Sequence, residues 1–368
     1  MPNTNFEQGI VSRIPGNIYG YHGWPSVCKT DDGTLLAVCS GYRMAHVCPF
    51  GKTVLFSSFD EGKTWSKPVI INDSPLDDRD AGILNLGGGR LLVTWFCHPT
   101  WLYLNNYLKS ITTCNSPWEN GIVLAHLASY NALPEEQKSG GSYISLSEDN
   151  GFTWSPAMRV PISSPHGPNL LSDGTIMYLG KELYALPGEE RPGAVAAHAS
   201  TDGGHTWKRL GEVPVPEDLA DDNFHEPHVI ELPSGRLLGV IRVQGKKKDS
   251  DTSLFTVYST VSDDKGLTWS MPKPTGMVGS PPHLLLHSSG ALICAVGRRT
   301  PPFGQRAYVS YDEGETWAKE YVLCDNGPGS DLGYPATVEI SDGRLLTVYY
   351  QQYAPGEKCS LLQTIWSL

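Results

Sequence analysis

Ionisable side chains occupy matching positions in a segment that the sequence repeats six times. Each copy has a Pro-x-apolar or similar start, an Asp-Gly-type turn and a β-rich run, and the copies start at residues 25, 81, 168, 227, 282 and 335. The residues shortly before these starts are His22, Asp80, His166, Glu226, Pro281 and Tyr334. Random loops would seldom place so many imidazole, carboxyl and phenol groups at equivalent positions. In one pocket, such groups can perform general acid–base and nucleophilic chemistry.

The repeated segment predicts a β-hairpin, because two short apolar runs are joined by a turn that favours glycine. A second repeat, Ser-x-Asp-x-Gly-x-Thr-Trp, follows five of the six hairpins, at residues 58–65, 147–154, 200–207, 262–269 and 310–317. In each copy the Ser and Asp side chains can bond to backbone N–H groups, Gly can adopt a positive φ, and Trp can anchor the turn in apolar surface. Internal repeats of this kind decide the fold.

The second repeat is the Asp-box, and through it the chain resembles the sialidase (neuraminidase) superfamily of Asp-box (BNR) propellers. The resemblance implies an all-β fold, a six-bladed β-propeller formed as a single domain by residues 1–368, with the boxes in structural roles on outer hairpins. The last blade has no box. We expect its outer strands from residues 359–366 and 8–14, so that the two termini close the ring.

A long interval between the first two boxes predicts an insertion at about residues 98–141, in the second blade. Within it, residues 124–130 and 134–138 have partly helical character. One interpretation is a decorated surface loop. The other is a lid or rim that contributes Trp101, Tyr103 or Trp118 to the pocket.

Three segments of the C-terminal half resemble sialidase segments in the family's order and at similar spacing. Residues 225–242 resemble the segment with a catalytic Glu and a carboxylate-binding Arg. Residues 305–310 resemble a segment with another such Arg, and residues 332–338 resemble the nucleophile segment. The resemblance therefore extends from the fold to individual residues in this half of the chain.

The resemblance implies roles for four of these residues. Tyr334 would be the nucleophile and Glu226 its base, while Arg242 and Arg306 would clamp the carboxylate of a sialic acid. A phenol suits this substrate, because the carboxylate on the anomeric carbon would repel an anionic nucleophile. Arginine suits the clamp, because it can bind a carboxylate through two parallel hydrogen bonds.

The N-terminal half departs from the family pattern. The first clamp arginine is expected directly before the first inner strand, but residues 21–25 read Tyr-His-Gly-Trp-Pro. Arg13 stands in a similar Arg-Ile-Pro motif, but no Asp-Gly hairpin follows it at the right distance. Arg79 could replace the missing clamp member. The adjacent Asp80 matches the family's placement of a ring-binding aspartate.

The acid/base aspartate of the family is expected a few residues after Arg43, yet residues 44–50 contain no carboxylate. His46 is the conventional proton carrier of that stretch, with an ordinary pKa of about 6.5. We therefore predict that His46 replaces the aspartate as the general acid. The further candidate substrate-binding residues are Arg43, His22, His166 and His283.

Composition narrows the expected partners. A formal charge of −11 and a pI of about 5.4 argue against nucleic acid and anionic membranes as partners. No signal peptide or membrane-length apolar run is visible, and the eight cysteines are scattered, so we expect a cytoplasmic protein with reduced thiols. We expect no cofactor and no metal, because no known metal site has the spacing of His22, His166, His225, His228 and His283. The expected partner is a small acidic sugar or a sialylated glycan.

Three functions are compatible with these residues. The first hypothesis is a sialidase-like exo-glycoside hydrolase that releases a terminal sialic acid or a related acidic sugar. The second is a hydrolase or lyase of another acidic sugar that uses His46, His166 or His283. The third is a non-catalytic carbohydrate-binding propeller. The presence of Glu226 together with Tyr334 favours an enzyme.

Overall fold

The strands of the protein form a ring of six blades. The computed structural model describes residues 6–113, 116–184 and 193–368, and within these ranges the strands form six four-stranded sheets. After the first strand, β1 (Glu7–Ser12), blades 1 to 3 are β2 (Tyr21–Lys29), β3 (Leu35–Arg43), β4 (Lys52–Ser58), β5 (Val69–Asn72); β6 (Asp78–Gly87), β7 (Arg90–Cys97), β8 (Gly141–Ser147), β9 (Met158–Val160); and β10 (Asn169–Leu170), β11 (Ile176–Lys181), β12 (Val195–Ser200), β13 (Lys208–Glu212). Blades 4 to 6 are β14 (Phe224–Glu231), β15 (Leu237–Lys246), β16 (Ser253–Ser262), β17 (Lys273–Val278); β18 (Pro282–Leu286), β19 (Leu292–Arg298), β20 (Gly304–Ser310), β21 (Lys319–Cys324); and β22 (Leu332–Glu339), β23 (Leu345–Gln352), β24 (Cys359–Trp366), with β1 as the outermost strand of blade 6.

The two ends of the described chain close the ring. β1 pairs with β24 in an antiparallel ladder in which Glu7 lies opposite Ile365. Gln8 also donates a hydrogen bond from Nε2 to the Leu323 carbonyl of blade 5 (2.8 Å), which ties the closing strand to the neighbouring blade. The predicted all-β, six-bladed propeller and its closure by the terminal strands are confirmed.

Each Asp-box forms the turn between the third and fourth strands of its blade. In the first box the Ser58 hydroxyl accepts a hydrogen bond from the Gly62 amide (2.8 Å). Asp60 accepts bonds from the Thr64 amide (2.9 Å) and hydroxyl (2.6 Å). Gly62 has a φ of 84°, which glycine adopts without strain. The corresponding bonds recur in the other four boxes, so the predicted turn is confirmed.

The core consists of apolar clusters between neighbouring blades, and the Asp-box tryptophans extend these clusters. Trp154 packs against a cluster that joins blades 1 and 2, and Trp207 against one that joins blades 2 and 3. The indole N–H of Trp207 donates to the Gly204 carbonyl (2.9 Å) within its own turn. Each of these tryptophans therefore fixes its turn against the preceding blade.

Replacing Trp207 by alanine is expected to lower the free energy of unfolding by about 2–3 kcal/mol, below the range for fully buried aromatics because this side chain is only half-buried. Chemical denaturation measures the change. His205→Ala, an exposed change in the same turn, is the control and should have almost no effect. Unchanged stability together with lost catalytic activity would contradict the structural role of the boxes.

A helical segment lies between β7 and β8 in blade 2. It consists of α1 (Thr100–Leu102), a π-helical turn (Tyr103–Tyr107), α2 (Leu108–Thr113), α3 (Pro117–Ser129), a 3₁₀ turn (Tyr130–Ala132) and α4 (Glu135–Lys138). Helix α3 begins at a capping box, because the Ser116 hydroxyl accepts from the Glu119 amide and the Glu119 carboxylate accepts from the Ser116 amide. Two further 3₁₀ turns are Asp221–Asn223 and Ser341–Gly343. No helix in the described ranges combines the length and the hydropathy of a membrane span.

Candidate functional site

The innermost strands of four blades contain a bulge at an equivalent position. The pairing register shifts within β2, β6, β14 and β22. At each shift one residue has a positive φ, and these residues are Trp24 (55°), Asp80 (52°), Glu226 (46°) and Tyr334 (52°). A positive φ raises the conformational free energy of a non-glycine residue by about 1–3 kcal/mol. Bulges redirect side chains, so the strain is expected where a particular orientation is needed.

All four of these side chains line one cavity of about 360 Å³. Every blade contributes to its wall, in order through Trp24, Arg79, Lys181, Glu226, Arg299 and Tyr334. A cavity that is shared by all six blades lies at the centre of the ring. The bulges therefore turn four side chains towards this central cavity.

Tyr334 and Glu226 form a hydrogen-bonded pair in the cavity. The Tyr334 hydroxyl donates to Glu226 Oε1. Burial raises the pKa of the phenol well above its usual value, and the Glu226 and Asp80 carboxylates raise it further. Burial would also raise the pKa of Glu226, but Arg242 and the bond from Tyr334 outweigh it, so this pKa is lowered. The pair rests as a neutral phenol beside an ionised carboxylate, which are the protonation states of an unreacted nucleophile and its base.

Arginine side chains surround this pair. Arg242 Nη1 lies 2.5 Å from Glu226 Oε2 and 3.4 Å from the Tyr334 hydroxyl. Arg299 donates from Nε to a backbone carbonyl (2.8 Å), and its guanidinium lies 5.7 Å from the centre of the Tyr334 ring. With Arg79 from blade 2, three guanidinium groups line the cavity. Such groups can hold a carboxylate through charge-assisted hydrogen bonds.

Arg79 is held from behind by a buried charge network. Asp77 is fully buried, lies 3.2 Å from Arg79 Nη1, pairs with Arg43 and accepts a bond from the Tyr103 hydroxyl (2.5 Å). The Trp24 ring lies 4.2 Å from the Arg79 guanidinium and 4.6 Å from that of Arg43. Arg43 is fully buried and does not line the cavity. Its predicted place in substrate binding is therefore corrected, because it supports Asp77 instead.

His46 lies in the cavity wall with a carboxylate behind it. Its Nδ1 is 2.8 Å from Asp331 Oδ1 and 3.1 Å from the Tyr21 hydroxyl. Tyr21 also donates to both Asp331 oxygens, at 3.0 and 3.1 Å, so the three side chains form a closed network. Burial lowers the pKa of His46, while the Asp331 carboxylate opposes this change. The network fixes one imidazole nitrogen and leaves Nε2 for a ligand.

Asp80 is a buried carboxyl group next to the Tyr334–Glu226 pair. Its Oδ1 has no hydrogen-bond partner among the described residues. Burial raises the pKa of Asp80 to about 7, and the Glu226 carboxylate adds to the rise, although Arg79 opposes it. Near neutral pH this carboxyl group is partly protonated, so it can donate or accept a hydrogen bond. It is a second proton carrier in the cavity.

Besides Arg43, four predicted site residues do not line the cavity: His22, His166, His283 and Arg306. His22 is buried beneath the wall, and His166 packs on His283 with ring centroids 4.9 Å apart. Arg306 lies on the third strand of its blade, where its Nε is 3.2 Å from Glu320 and its Nη1 donates to a backbone carbonyl (2.6 Å). These placements correct the expectation that the four side chains meet the substrate, because the blades already bury them.

The sequence contained a signal for one wall residue that our prediction missed. Trp24 stands directly before a proline, as Glu226 and Tyr334 do. In the repeat, Trp24 is therefore the residue equivalent to Glu226 and Tyr334, whereas His22 lies two positions earlier. Arg299 gave no such signal, because it follows the end of β19 and reaches the cavity only through the packing of the blades.

The helical segment of blade 2 forms part of the rim. Tyr107 from its π-helical turn and His98, just before the segment, line the cavity. Trp101 and Trp118 are 54% and 68% exposed and do not contribute to the wall. Tyr103 is buried behind the wall on Asp77. The predicted contribution of Trp101, Tyr103 or Trp118 to the pocket is therefore wrong, and the segment borders the cavity through Tyr107 instead.

The described residues offer no evident metal site. No group of three or more His, Cys, Asp or Glu side chains in this part of the chain is arranged to hold a metal ion. The seven cysteines in the described ranges are buried and free.

Solved structures with similar folds include sialidases. A protein of unknown function from Dyadobacter fermentans has a TM-score of 0.77 and 22% identity, and the match covers 100% of both chains. The NanB sialidase from Streptococcus pneumoniae has a TM-score of 0.66 and 14% identity, over 98% of this chain and 70% of that chain. The intramolecular trans-sialidase from Ruminococcus gnavus has a TM-score of 0.62 and 14% identity, over 96% of both. At these identities the likeness shows a shared sialidase-like propeller fold.

The sequence itself carries the family signature. Residues 112–347 match the BNR repeat-like domain family, and because this is more than half of the chain, the protein belongs to that family. No curated protein sequence matches the chain. The family and the fold agree with the Asp-boxes.

Proposed function

We propose that the protein is an exo-acting glycoside hydrolase that releases a terminal acidic sugar, a sialic acid or a related sugar acid, from a glycan. The observation that carries this proposal is the hydrogen bond from Tyr334 to Glu226 among three guanidinium groups. A phenol paired with a carboxylate base can attack a centre that bears its own negative charge, where a carboxylate nucleophile would be repelled.

The pair supports a two-step displacement. Glu226 accepts the phenolic proton while the Tyr334 oxygen attacks the anomeric carbon and the glycosidic oxygen departs. Arg242 lies within 3.4 Å of the Tyr334 oxygen and stabilises the charge that develops there. The departing oxygen takes a proton from the general acid, His46. Water then attacks the anomeric carbon of the glycosyl-enzyme and gives a proton back to His46, while the phenolic oxygen leaves with the proton held by Glu226. The free sugar is thereby released and the side chains return to their starting states. Covalent catalysis of this kind divides one difficult step into two easier steps.

The guanidinium groups supply the selectivity for an acid. Arg79, Arg242 and Arg299 come from three different blades, and a ligand carboxylate between them would be held from several sides. Arg79 would replace the clamp arginine that residues 21–25 lack. The Trp24 ring lies 4.2 Å from the Arg79 guanidinium, and this cation–π contact stabilises the guanidinium in the cavity wall.

The network behind His46 fits the predicted general acid. Asp331 holds the ring and can stabilise its charged form, so that Nε2–H can protonate the departing glycosidic oxygen. Because burial lowers the pKa of His46, its acid form is lost at a lower pH than that of an exposed imidazole, and its population falls as the pH rises. We therefore expect turnover on natural glycosides to decline with rising pH.

His46→Ala is expected to lower turnover on natural glycosides by about 10²-fold or more. The loss should be far smaller on substrates with an acidic leaving group, because these depart without a proton. Steady-state rates on a sialyl-oligosaccharide and on a fluorogenic sialoside measure the difference. Equal losses on both substrates would indicate that His46 binds the sugar. The same dependence on the leaving group in Asp80→Asn alone would assign the acid to Asp80.

A hydrolase of another acidic sugar is the second candidate. Two features of the sequence favour it: residues 21–25 contain no arginine where the resemblance places the first clamp arginine, and His46 stands where it places a carboxylate. A panel of fluorogenic glycosides of sialic acids, other 2-keto-3-deoxy sugar acids and uronic acids separates the candidates. Release of sugar from sialosides supports the sialidase-like function. Release only from glycosides of another sugar acid supports a hydrolase of that acid. No release from any acidic glycoside would contradict both.

A further inference from the structure

Lys181 is a buried cation on the blade 3 side of the cavity. It is the last residue of β11, lines the cavity and is only 6% exposed. Its ammonium donates to the backbone carbonyls of Asp221 (3.0 Å) and Phe224 (2.5 Å). An ammonium group carries three donors. Two of these donors bond to carbonyl groups of the described residues, and the third is available to a ligand.

The charge of Lys181 has no carboxylate partner in the described part of the chain, since its hydrogen bonds there go to carbonyl groups. Burial lowers the pKa of Lys181, while the more distant Asp222, Asp221 and Glu226 oppose this change. Buried charges are normally paired. An ammonium group that lines a cavity and has no carboxylate partner among the described residues is a suitable site for a negatively charged group of the ligand.

The charges of the whole cavity wall also indicate that the ligand carries more than one negative group. Its cationic side chains are Arg79, Arg242, Arg299 and Lys181, and its carboxyl groups are Asp80 and Glu226. The three arginines come from blades 2, 4 and 5, whereas Lys181 comes from blade 3. A single ligand carboxylate between the arginines would leave the ammonium of Lys181 without a counter-ion.

The neighbours of Lys181 can complete an oxyanion site. The His225 ring lines the same cavity, and burial together with the Lys181 charge lowers its pKa to about 4, so it is neutral near pH 7 and can donate a hydrogen bond. Ser163 also lines the cavity, and its backbone pairs with that of Lys181 through two bonds of 3.0 and 2.8 Å. Ammonium, imidazole and hydroxyl groups are all suitable donors for an oxyanion.

We infer that Lys181, His225 and Ser163 form a second anion subsite, which binds a second carboxylate, sulfate or phosphate group of the acidic substrate. The inference rests on the proposed function in assuming that the arginines hold the first carboxylate. It makes the substrate class more specific, namely an acidic sugar with two anionic groups.

Calorimetric titration with three flexible six-carbon acids tests the inference. Gluconate has one carboxylate, glucarate has two, and 6-phosphogluconate has a carboxylate and a phosphate. We expect the wild-type protein to bind at least one of the two doubly charged acids about tenfold or more tightly than gluconate. A preference for glucarate indicates a carboxylate at the subsite, and a preference for 6-phosphogluconate alone indicates an ester oxyanion.

Lys181→Met keeps the apolar stem of the side chain and removes its charge. In this variant the preference should fall to about twofold or less, with gluconate affinity almost unchanged. Lys265→Met, an exposed change in an Asp-box turn, is the matched control and should keep the preference. Lys181→Gln, which keeps a donor without a charge, provides a second test if the methionine variant folds poorly.

Equal wild-type affinities for the three acids, or an unchanged preference in folded Lys181→Met and Lys181→Gln, would overturn the subsite. These results are independent of the hydrolysis assay. Release of sugar from singly charged glycosides without any preference for a doubly charged ligand would refute the subsite alone. A preference that depends on Lys181, without hydrolysis of any glycoside, would refute the proposed activity alone.

Discussion

Replacing Tyr334 by phenylalanine is expected to lower turnover of an acidic glycoside by at least about 10³-fold. The change removes the oxygen that would attack the anomeric carbon and keeps the ring that fills the wall. Glu226→Gln should produce a comparable loss, because a neutral amide cannot take the phenolic proton. Steady-state rates on a fluorogenic sialoside, with thermal melting to confirm folding, measure both effects.

Tyr349→Phe is the matched control for this experiment. Tyr349 lies on β23 and is also fully buried, but its hydroxyl donates to Gln8 Oε1 (2.7 Å) away from the cavity. Its loss should affect stability and leave the rate per folded molecule close to that of the wild type. If Tyr334→Phe also kept the wild-type rate, a nucleophilic role for Tyr334 would be excluded.

Replacing Asp77 by alanine is expected to lower the free energy of unfolding by about 3–5 kcal/mol. Asp77 is the carboxylate between Arg43 and Arg79, and both guanidinium groups are largely buried. Its removal leaves these two charges close together without their shared counter-ion. Urea denaturation at pH 7 measures the loss. Asp218→Asn, at an exposed carboxylate, is the control and should change stability by less than about 1 kcal/mol.

The contribution of Asp77 is also expected to depend on pH. Burial would raise its pKa, but Arg43 and Arg79 outweigh burial and lower it to about 2, from an ordinary value of 3.8. A lowered pKa in the folded state means that the stabilisation is complete above about pH 4 and disappears as the pH falls towards 2. The stability difference between wild type and Asp77→Asn should therefore narrow over that range. A difference that stayed constant would contradict the ion-pair role.

Much of the fold could be predicted from the sequence, because its signals are local. The Asp-box places Ser58, Asp60, Gly62 and Thr64 within one turn, and their hydrogen bonds need no distant partner. Repetition of that turn and of the hairpin before it sets the number of blades. The hairpin repeat also aligned Glu226 and Tyr334, because equivalent registers bring equivalent residues to the centre of the ring.

The positions of the arginines were decided by the tertiary structure. Arg306 and Arg43 occur in the motifs that the resemblance indicated, yet both guanidinium groups are buried away from the cavity. Arg299, for which the sequence gave no signal, lines the cavity beside the candidates Arg79 and Arg242. The sequence near a motif does not reveal on which face of a strand a long side chain lies. A shift of one residue in the register moves every side chain of the strand to the opposite face.

The partners of the catalytic candidates were also decided by the tertiary structure. His46 bonds to Asp331, which is 285 positions away in the sequence, and Tyr334 bonds to Glu226 across 108 positions. The sequence by itself determined that the chain repeats, which turns it makes and that Glu226 and Tyr334 occupy equivalent positions of the repeat. Ring closure decided which of these side chains meet, because a contact between blades depends on the packing of all six blades and leaves no periodic signal in the chain.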